Sequence, residues 1–349
     1  MKNLSSRQQA ILQLFAEHSS LSNGQLLELL KEYGEHVSRI TLVRDLNTLV
    51  LHRLVAKEGQ GRGVRYVSVG HQLLSSIDVE RYFEKETDER QVYAERVSFS
   101  KVAEWKDLLS AEEKKLLEES TKGWRKRMAN YNPSALRKEL ERITIEFSWK
   151  SSQIEGNTYS LLETERLITQ QIESKGRSKE EAIMILNHKK AFEYFWKKTS
   201  GYQQLRRKEI EDLHALLVGG LKITTGIRKH GVGITGTTYK PLSTVYQLRE
   251  QLEDLCQLVN RIKNPFEKAL IAVVGISYLQ PFGDGNKRTA RMVGNALLAA
   301  WKCCPLSYRS VNEIDYKKAT IIFYEQHSLS AFKKLFLEQA YFAMGNYFP

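Results

Sequence analysis

The sequence YLQPFGDGNKRTARMVGN at residues 278–295 constrains this chain most, because a glycine-rich loop there runs directly into an apolar helical pattern. Gly283 and Gly285 let the backbone approach a ligand closely, and the first free N–H groups of a helix favour an anion. Arg288 and Arg291 are three residues apart, so they lie on one helix face, where both guanidinium groups can bind phosphate oxygens. The stretch predicts a phosphate-binding loop.

Asp284 adds a carboxylate to the same loop. Carboxylate oxygens are hard ligands, and this one is placed to hold Mg²⁺ against phosphate oxygens. The alternative interpretation is a glycine-rich loop that only caps a helix, followed by solvated arginines. The two spaced arginines after the loop favour the phosphate site.

These residues resemble the signature of the Fic family, which reads His-x-Phe-x-(Asp or Glu)-Gly-Asn-(Gly or Lys)-Arg-x-x-Arg. One position departs from the pattern, because Gln280 stands where the family has its catalytic His. The positions that match are Phe282, Asp284, Gly285, Asn286, Lys287, Arg288 and Arg291.

The resemblance implies a helical domain that binds ATP with Mg²⁺ and usually transfers AMP to a hydroxyl side chain of a target protein. In that reading Asp284 holds the Mg²⁺ and Phe282 packs the loop into the core. The residues that would contact the nucleotide are Gly283, Gly285, Asn286, Lys287, Arg288 and Arg291.

Gln280 limits what can follow nucleotide binding. The family's His takes the proton of the attacking hydroxyl, and such a general base typically contributes about 10²- to 10⁴-fold to the rate. A glutamine amide can orient a hydroxyl but cannot accept its proton. We therefore expect ATP binding with weak or absent AMP transfer. Lys287 also resembles the Doc branch of the family, which phosphorylates, whereas Arg291 favours the AMP-transferring branch.

A second motif lies upstream, in the sequence SWKSSQIEGNTYS. Ser151, Glu155 and Gly156 resemble the autoinhibitory motif that many Fic proteins carry before the Fic core, here at the end of a predicted inhibitory helix over residues 134–156. The resemblance implies that Glu155 pairs with Arg291 and takes the place of the nucleotide γ-phosphate. The alternative is a helix end with a glycine cap and an exposed Glu.

The first 70 residues predict three short helices and a strand pair, an arrangement that resembles a winged helix-turn-helix. Helices are predicted at about residues 5–18 and 22–33, and Ser38 can cap the third. The glycine-rich turn GQGRG separates the two predicted strands. The buried stripe of the third helix is predicted to consist of Ile40, Val43, Leu46 and Val50.

The winged-helix resemblance implies that duplex DNA is the partner of the third helix, whose first half would enter the major groove. A protein-docking or dimerisation module is the alternative, because residues 1–70 hold nine Lys and Arg against six Asp and Glu. The positions predicted to be exposed on the helix are Arg39, Thr41, Arg44 and Asp45, with Arg62 and Arg65 on the wing placed to neutralise phosphates.

The rest of the chain predicts a mainly helical architecture. Residues 71–108 are mixed and charged and predict a connector with some helix, and residues 109–349 predict the Fic-like domain. His188 and His214 lie in helical patterns and are expected to be satisfied buried or half-buried histidines. No His or carboxylate has metal-ligand spacing, so no metal held by protein ligands alone is predicted.

Residues 223–242 interrupt the helices with glycines among β-branched residues, which predicts a short β-hairpin. In the Fic family a hairpin flap in this place holds the target segment by β-augmentation. A plain connecting loop is the alternative. The predicted flap residues are Gly233, Ile234, Thr235, Gly236 and Thr237.

Composition sets the remaining limits. The chain has 349 residues, enough for two domains, and a net charge of +12 that by itself identifies no partner. No apolar run reaches the length of a membrane span, and the N-terminus is amphipathic, so we expect a cytoplasmic protein without membrane contact. Cys256, Cys303 and Cys304 have neither disulfide nor metal spacing and are expected to be reduced.

Three functional hypotheses follow. The first is a Fic protein that binds ATP and Mg²⁺, is inhibited by Glu155, transfers AMP weakly or not at all, and binds DNA through its N-terminal module. The second is an active adenylyltransferase that uses another base. The third is a transcriptional regulator whose Fic domain only docks a protein or oligomerises; a homodimer stays open as one arrangement.

Overall fold

The computed structural model is predominantly helical, and its described part contains a single two-stranded sheet. The residues that it describes are 4–18, 20–51, 54–68 and 72–349.

Two compact units make up the chain. Unit 1 consists of residues 1–96 and 321–332, and unit 2 consists of residues 97–320 and 333–349. Each unit has its own buried apolar residues, and the candidate phosphate-binding loop belongs to unit 2.

Unit 1 begins with three helices and an antiparallel strand pair, as the hydrophobic pattern predicts. Ser5 and Ser22 cap the first two helices, and in each case a Gln three residues later returns the hydrogen bond to complete a capping box. The strands pair in a register that places Val55 opposite Ser68. The elements are α1 (Ser6–Glu17), α2 (Asn23–Glu32), α3 (Arg39–Leu51), β1 (Val55–Glu58), β2 (Arg65–Ser68) and α4 (Val79–Tyr82).

Leucines and isoleucines of α1, α2 and α3 form the core under the strand pair. Ile11, Leu14, Leu26, Leu30 and Leu42 are fully buried and pack in one cluster. Burying a side chain of this size contributes about 1.5–3 kcal/mol, so the three helices stabilise one another.

The predicted buried stripe of α3 is correct at Leu46, which is buried, while Val43 and Val50 are half-buried and Ile40 is wrong. Ile40 is 76% exposed, and Asp45, predicted to be exposed, is buried. The carboxylate of Asp45 accepts hydrogen bonds from Arg7 Nε and Gln8 Nε2 of α1, so a satisfied polar group takes an inward position. The buried residues of α3 are Leu42, Asp45, Leu46 and Leu49.

Unit 2 is helical, and its most buried helices are α11 and α12, which are joined by the loop of residues 280–285. Ser110, Ser160 and Ser178 cap helices, each in a complete capping box with a Glu three residues later. The remaining helices of the chain are α5 (Ala111–Ala129), α6 (Pro133–Gln153), α7 (Leu161–Gln170), α8 (Lys179–Lys197), α9 (Arg207–Val218), α10 (Val245–Arg261), α11 (Pro265–Leu279), α12 (Asn286–Ala300), α13 (Glu313–Gln326) and α14 (Ser330–Asn346).

The predicted hairpin flap is not formed. Residues 223–242, all of them described, contain no strand, only turns, bends and irregular backbone. Glycines and β-branched residues alternate here without a partner strand. Instead of a partner strand, side-chain donors of Arg228 satisfy the backbone carbonyls of His230 and Leu242. The flap residues Gly233, Ile234, Thr235, Gly236 and Thr237 are exposed or half-buried loop positions.

Cys256, Cys303 and Cys304 are unpaired and buried, as expected for reduced core thiols. In the described part of the chain, no helix combines the length and the apolar character that crossing a bilayer requires.

Candidate functional site

The loop of residues 280–285 is held in shape by polar groups at its ends. Asn286 Nδ2 donates to Phe282 O, and Asn286 Oδ1 accepts from Phe282 N, both at 2.9 Å. Gly285 has φ +79°, and a Cβ there would lie 3.1 Å from Val218 Cγ1. Glycine adopts this conformation at little cost, so the close turn into α12 requires Gly285.

Phe282 anchors the loop in the domain core, as the resemblance implies. Its ring is fully buried and stacks on His214 with ring centroids 3.8 Å apart and planes 7° apart. His214 Nε2 donates to the carbonyl oxygen of Asp284 at 3.0 Å. Burial lowers the pKa of His214 to about 4, so the ring is neutral at neutral pH. This buried histidine thus supports the loop directly, although its Nδ1 has no partner in the described part of the chain.

Arg228 connects the preceding segment to the loop. Its backbone N–H donates to Pro281 O at 3.0 Å, and its Nε donates to Gln280 O at 2.6 Å. Its other nitrogens donate to the carbonyls of His230 and Leu242. The buried guanidinium of Arg228 therefore satisfies one carbonyl of the loop and two carbonyls of the segment before α10. No motif in the sequence indicates this role.

Arg288 is a buried cation with an unused donor. Its Nη2 donates to Asp284 Oδ2 at 3.2 Å, whereas its Nη1 is buried and has no hydrogen-bond partner among the described residues. A buried unsatisfied donor costs about 1–3 kcal/mol, so an anionic oxygen that reaches Nη1 would be bound favourably. Gly285 gives α12 no side-chain cap, which leaves N–H groups of the first turn to an anion as well.

Asp284 has the chemistry of a single carboxylate ligand. Its side chain is 67% exposed, with Oδ1 accepting from Gly285 N at 2.6 Å. The described residues contain no group of three or more His, Cys, Asp or Glu that could hold a metal ion. Mg²⁺ is usually held by one or two carboxylates together with phosphate oxygens and water. Asp284 therefore fits an ion that a phosphate ligand brings with it.

Glu155 bridges two cations of α12. Its Oε1 lies 3.0 Å from Arg291 Nη1, and its Oε2 lies 3.1 Å from Lys287 Nζ. Arg291 is fully buried, and the Glu155 side chain is 17% exposed. Burial alone would raise the pKa of Glu155, but Arg291 and Lys287 lower it below its ordinary value, so the group is ionised at neutral pH.

Ser151 of α6 accepts hydrogen bonds from the other two nitrogens of the Arg291 guanidinium, Nε and Nη2. Arg291 Nε donates to Ser151 Oγ at 2.9 Å, and Nη2 donates to the carbonyl oxygen of Ser151 at 2.7 Å. Ser151 lies in the last turns of α6, and Gly156, at φ +96°, follows Glu155 after the helix ends. The structure thus brings the two sequence motifs into one contact, with an anion and a cation paired at its centre.

Gln280 uses both ends of its amide inside the protein. Its Nε2 donates to Ser277 O at 2.6 Å, and its Oε1 accepts from Asn286 Nδ2 at 3.0 Å. The residue caps α11 in the left-handed conformation, with φ 48°, and is buried. Gln280 therefore locks the start of the loop and presents no titratable atom.

The residues predicted to face DNA lie in unit 1 and differ in availability. Arg39 and Arg44 are exposed on α3, whereas Thr41 is half-buried and bonds Ser38, which caps the helix. Arg65 is exposed, but its Nη2 donates to Ser20 O at 3.0 Å. The side chain of Arg62 lies outside the described residues.

Comparison with known proteins matches the model of the Fic/DOC family to residues 204–298. Protein adenylyltransferase Fic of Drosophila willistoni is 27% identical over 168 residues, which cover 47% of this chain and 34% of that protein. Protein adenylyltransferase fic-1 of Caenorhabditis elegans is 25% identical over 171 residues, with the same two coverages. The chain matches about a third of the length of these relatives, to which it is distantly homologous.

Solved Fic structures share the fold. Fic-1 (residues 134–508) from C. elegans superimposes with a TM-score of 0.59 at 21% identity, covering 69% of this chain and 73% of that one. A Fic domain containing signaling protein from Bacteroides thetaiotaomicron gives a TM-score of 0.54 at 19% identity, covering 67% and 94%. The matched residues 204–298 include the loop, Arg288 and Arg291, and this chain therefore contains a Fic/DOC family domain.

Proposed function

We propose that this chain is a nucleotide-binding Fic protein of the protein adenylyltransferase lineage, in which Glu155 opposes ATP binding and Gln280 makes AMP transfer weak or absent. The main support for the proposal is that the Glu155 carboxylate forms ion pairs with two signature cations, Arg291 at 3.0 Å and Lys287 at 3.1 Å. A terminal phosphate group is an anion with the same preference for these donors.

Residues of the loop and of α12 provide the groups that would bind the nucleotide and its Mg²⁺. Arg288 offers its unpaired Nη1 to a phosphate oxygen, and the uncapped start of α12 offers N–H groups. Asp284 would hold Mg²⁺ by its exposed carboxylate, and the ion would neutralise phosphate charge when bound. Arg291 and Lys287 would bind the terminal phosphate once Glu155 withdraws.

The chemical step lacks a proton acceptor at position 280. A hydroxyl group of a target protein would attack the α-phosphorus, the bond to the leaving pyrophosphate would break, and the hydroxyl proton would need a base. Gln280 cannot take that proton, and its amide is already committed to Ser277 and Asn286. The target of such a transfer would be a protein with a hydroxyl side chain.

Arg288 provides the test of nucleotide binding. In a Glu155→Gly background, Arg288→Met is expected to weaken ATP binding about 10- to 100-fold, because hydrogen bonds to a charged group typically contribute about 1.5–3 kcal/mol. Calorimetric titration with ATP and Mg²⁺ measures the dissociation constants. Arg249→Met removes an exposed cation of α10 and serves as the control. Absence of ATP binding in the Glu155→Gly protein would refute the proposal in favour of a domain that only docks a protein.

We further propose that unit 1 is a winged helix that binds duplex DNA. Its three helices and strand pair fit that arrangement, and Arg39 and Arg44 stand exposed on α3. The exposed Ile40 beside them suits either an apolar contact with a thymine methyl group or a docked protein.

Salt dependence separates these possibilities. Arg39→Ala and Arg44→Ala are each expected to weaken duplex binding and to reduce the slope of log K against log salt by about one if the residue contacts one phosphate. Gel shifts at several salt concentrations measure both quantities. Lys31→Ala, on α2, is the control. Binding that persists unchanged in both arginine variants would show that α3 is not the reading face.

A further inference from the structure

His188 of α8 lies directly behind the contact between Ser151 and Arg291. Its ring is fully buried and packs against Phe147 in a T-shaped arrangement, with ring centroids 5.8 Å apart. His188 Nδ1 lies 2.8 Å from the carbonyl oxygen of Met184 and 3.3 Å from Ser152 Oγ, which can accept from the same N–H, and His188 Nε2 lies 3.0 Å from Ser151 Oγ. No step of the proposed function uses this histidine.

The partners of the ring determine where its proton is. A carbonyl oxygen can only accept, so Nδ1 carries the proton and donates it to Met184 O. Nε2 is then an acceptor, and the hydroxyl of Ser151 donates to it. Burial lowers the pKa of His188 to about 3, which keeps the ring in this neutral form throughout the neutral range.

The direction of these bonds continues into Arg291. Because the hydroxyl proton of Ser151 is directed at His188, an oxygen lone pair is left for Arg291 Nε at 2.9 Å. The carbonyl of Ser151 takes Nη2 at 2.7 Å. Nε and Nη2 are therefore fixed by groups that do not involve Glu155, and Nη1 is the nitrogen that pairs with Glu155.

We propose that His188 is a positioning residue that, through Ser151, holds Arg291 in one orientation both when Nη1 pairs with Glu155 and when it pairs with a terminal phosphate. This inference rests on the proposed function. With Nε and Nη2 already held, exchanging carboxylate for phosphate changes one partner of the guanidinium and leaves its orientation unchanged. Such preorganisation avoids the entropy cost of ordering the side chain when the ligand binds.

Nucleotide selectivity tests the inference. In a Glu155→Gly background, His188→Phe keeps a ring of similar shape but removes the acceptor, and we expect ATP to bind about tenfold more weakly while AMP binding stays unchanged. AMP lacks the terminal phosphate that Arg291 would hold. His188→Gln can place its Oε1 near the position of Nε2, so it is expected to restore most of the preference for ATP over AMP. Calorimetry with each nucleotide and Mg²⁺ measures both affinities.

Equal weakening of ATP and AMP in His188→Phe, or no change in either, would overturn the inference while leaving nucleotide binding in place. A measurement without nucleotide separates it from the proposed function. The Nε–H resonance of Arg291, assigned by its absence in Arg291→Lys, is expected to be slow to exchange in the parent and in His188→Gln and to be lost in His188→Phe. Its persistence in His188→Phe would refute the positioning role whatever the domain binds.

Discussion

Replacing Gln280 with His in a Glu155→Gly background is expected to raise the rate of AMP transfer by about 10²- to 10⁴-fold, the usual contribution of a positioned general base. The reason is local, because α12 carries the proposed phosphate-binding groups, whereas position 280 carries no proton acceptor. Incubation with α-³²P-labelled ATP and Mg²⁺, followed by counting label on protein, measures the transfer. Self-modification or a mixture of candidate hydroxyl-bearing proteins can supply the acceptor.

The matched control is Gln280→Ala in the same background. Gln280 holds the start of the loop through Ser277 and Asn286, so any substitution disturbs two hydrogen bonds. Alanine removes these bonds without adding a base, and its rate is expected to remain at or below that of the parent. Strong labelling by Glu155→Gly alone would contradict the proposal and favour an adenylyltransferase that uses another base.

Local sequence rules predict which residues share a loop or a helix face where short-range chemistry determines the structure. The signature residues lie on a loop and one helix, so their arrangement along the chain follows from spacing alone. The pairing of Glu155 with Arg291 joins residues far apart in sequence. It followed from the family resemblance, which pattern and spacing could not have supplied.

The features that sequence reasoning missed depend on tertiary partners. The segment before α10 has strand-like composition, but β structure needs a second strand in register, and Arg228 satisfies its carbonyls instead. The prediction that Asp45 is exposed was wrong because its carboxylate finds two donors on α1 that no helical pattern reveals. His188 gave no motif, since its importance lies in the direction of hydrogen bonds through Ser151.

Glu155→Gly is expected to raise the affinity for ATP about 100-fold relative to the unsubstituted protein, because it removes a carboxylate that competes for Arg291 and Lys287 with the terminal phosphate. AMP has no such phosphate, so its affinity is expected to change little. Calorimetric titration with both nucleotides and Mg²⁺ gives the comparison. Glu155→Gln, which keeps the shape of the side chain but not its charge, is expected to reproduce most of the gain.

In the absence of nucleotide, Glu155→Gly is expected to destabilise the folded protein. Arg291 is buried, and removing its anionic partner is expected to lower the free energy of unfolding by about 1–3 kcal/mol, less than for a fully buried pair because Glu155 is partly exposed. The pKa of Glu155 is lowered in the folded state, so the pair's contribution is present above the ordinary Glu pKa of about 4.3 and is lost as the pH falls through the folded value. The difference between the two proteins should therefore shrink under acid conditions.

The ATP affinity and the folding stability of Glu155→Gly together show why Glu155 opposes ATP binding. If Glu155 is an internal substitute for a phosphate, ATP should return to Glu155→Gly the stability that the substitution removes, since a ligand stabilises the folded state that it binds. Denaturant titrations with and without ATP measure this recovery. An equal gain in affinity for AMP, or a loss of stability that ATP does not recover, would show that Glu155 acts by shaping α6 and does not occupy a phosphate site.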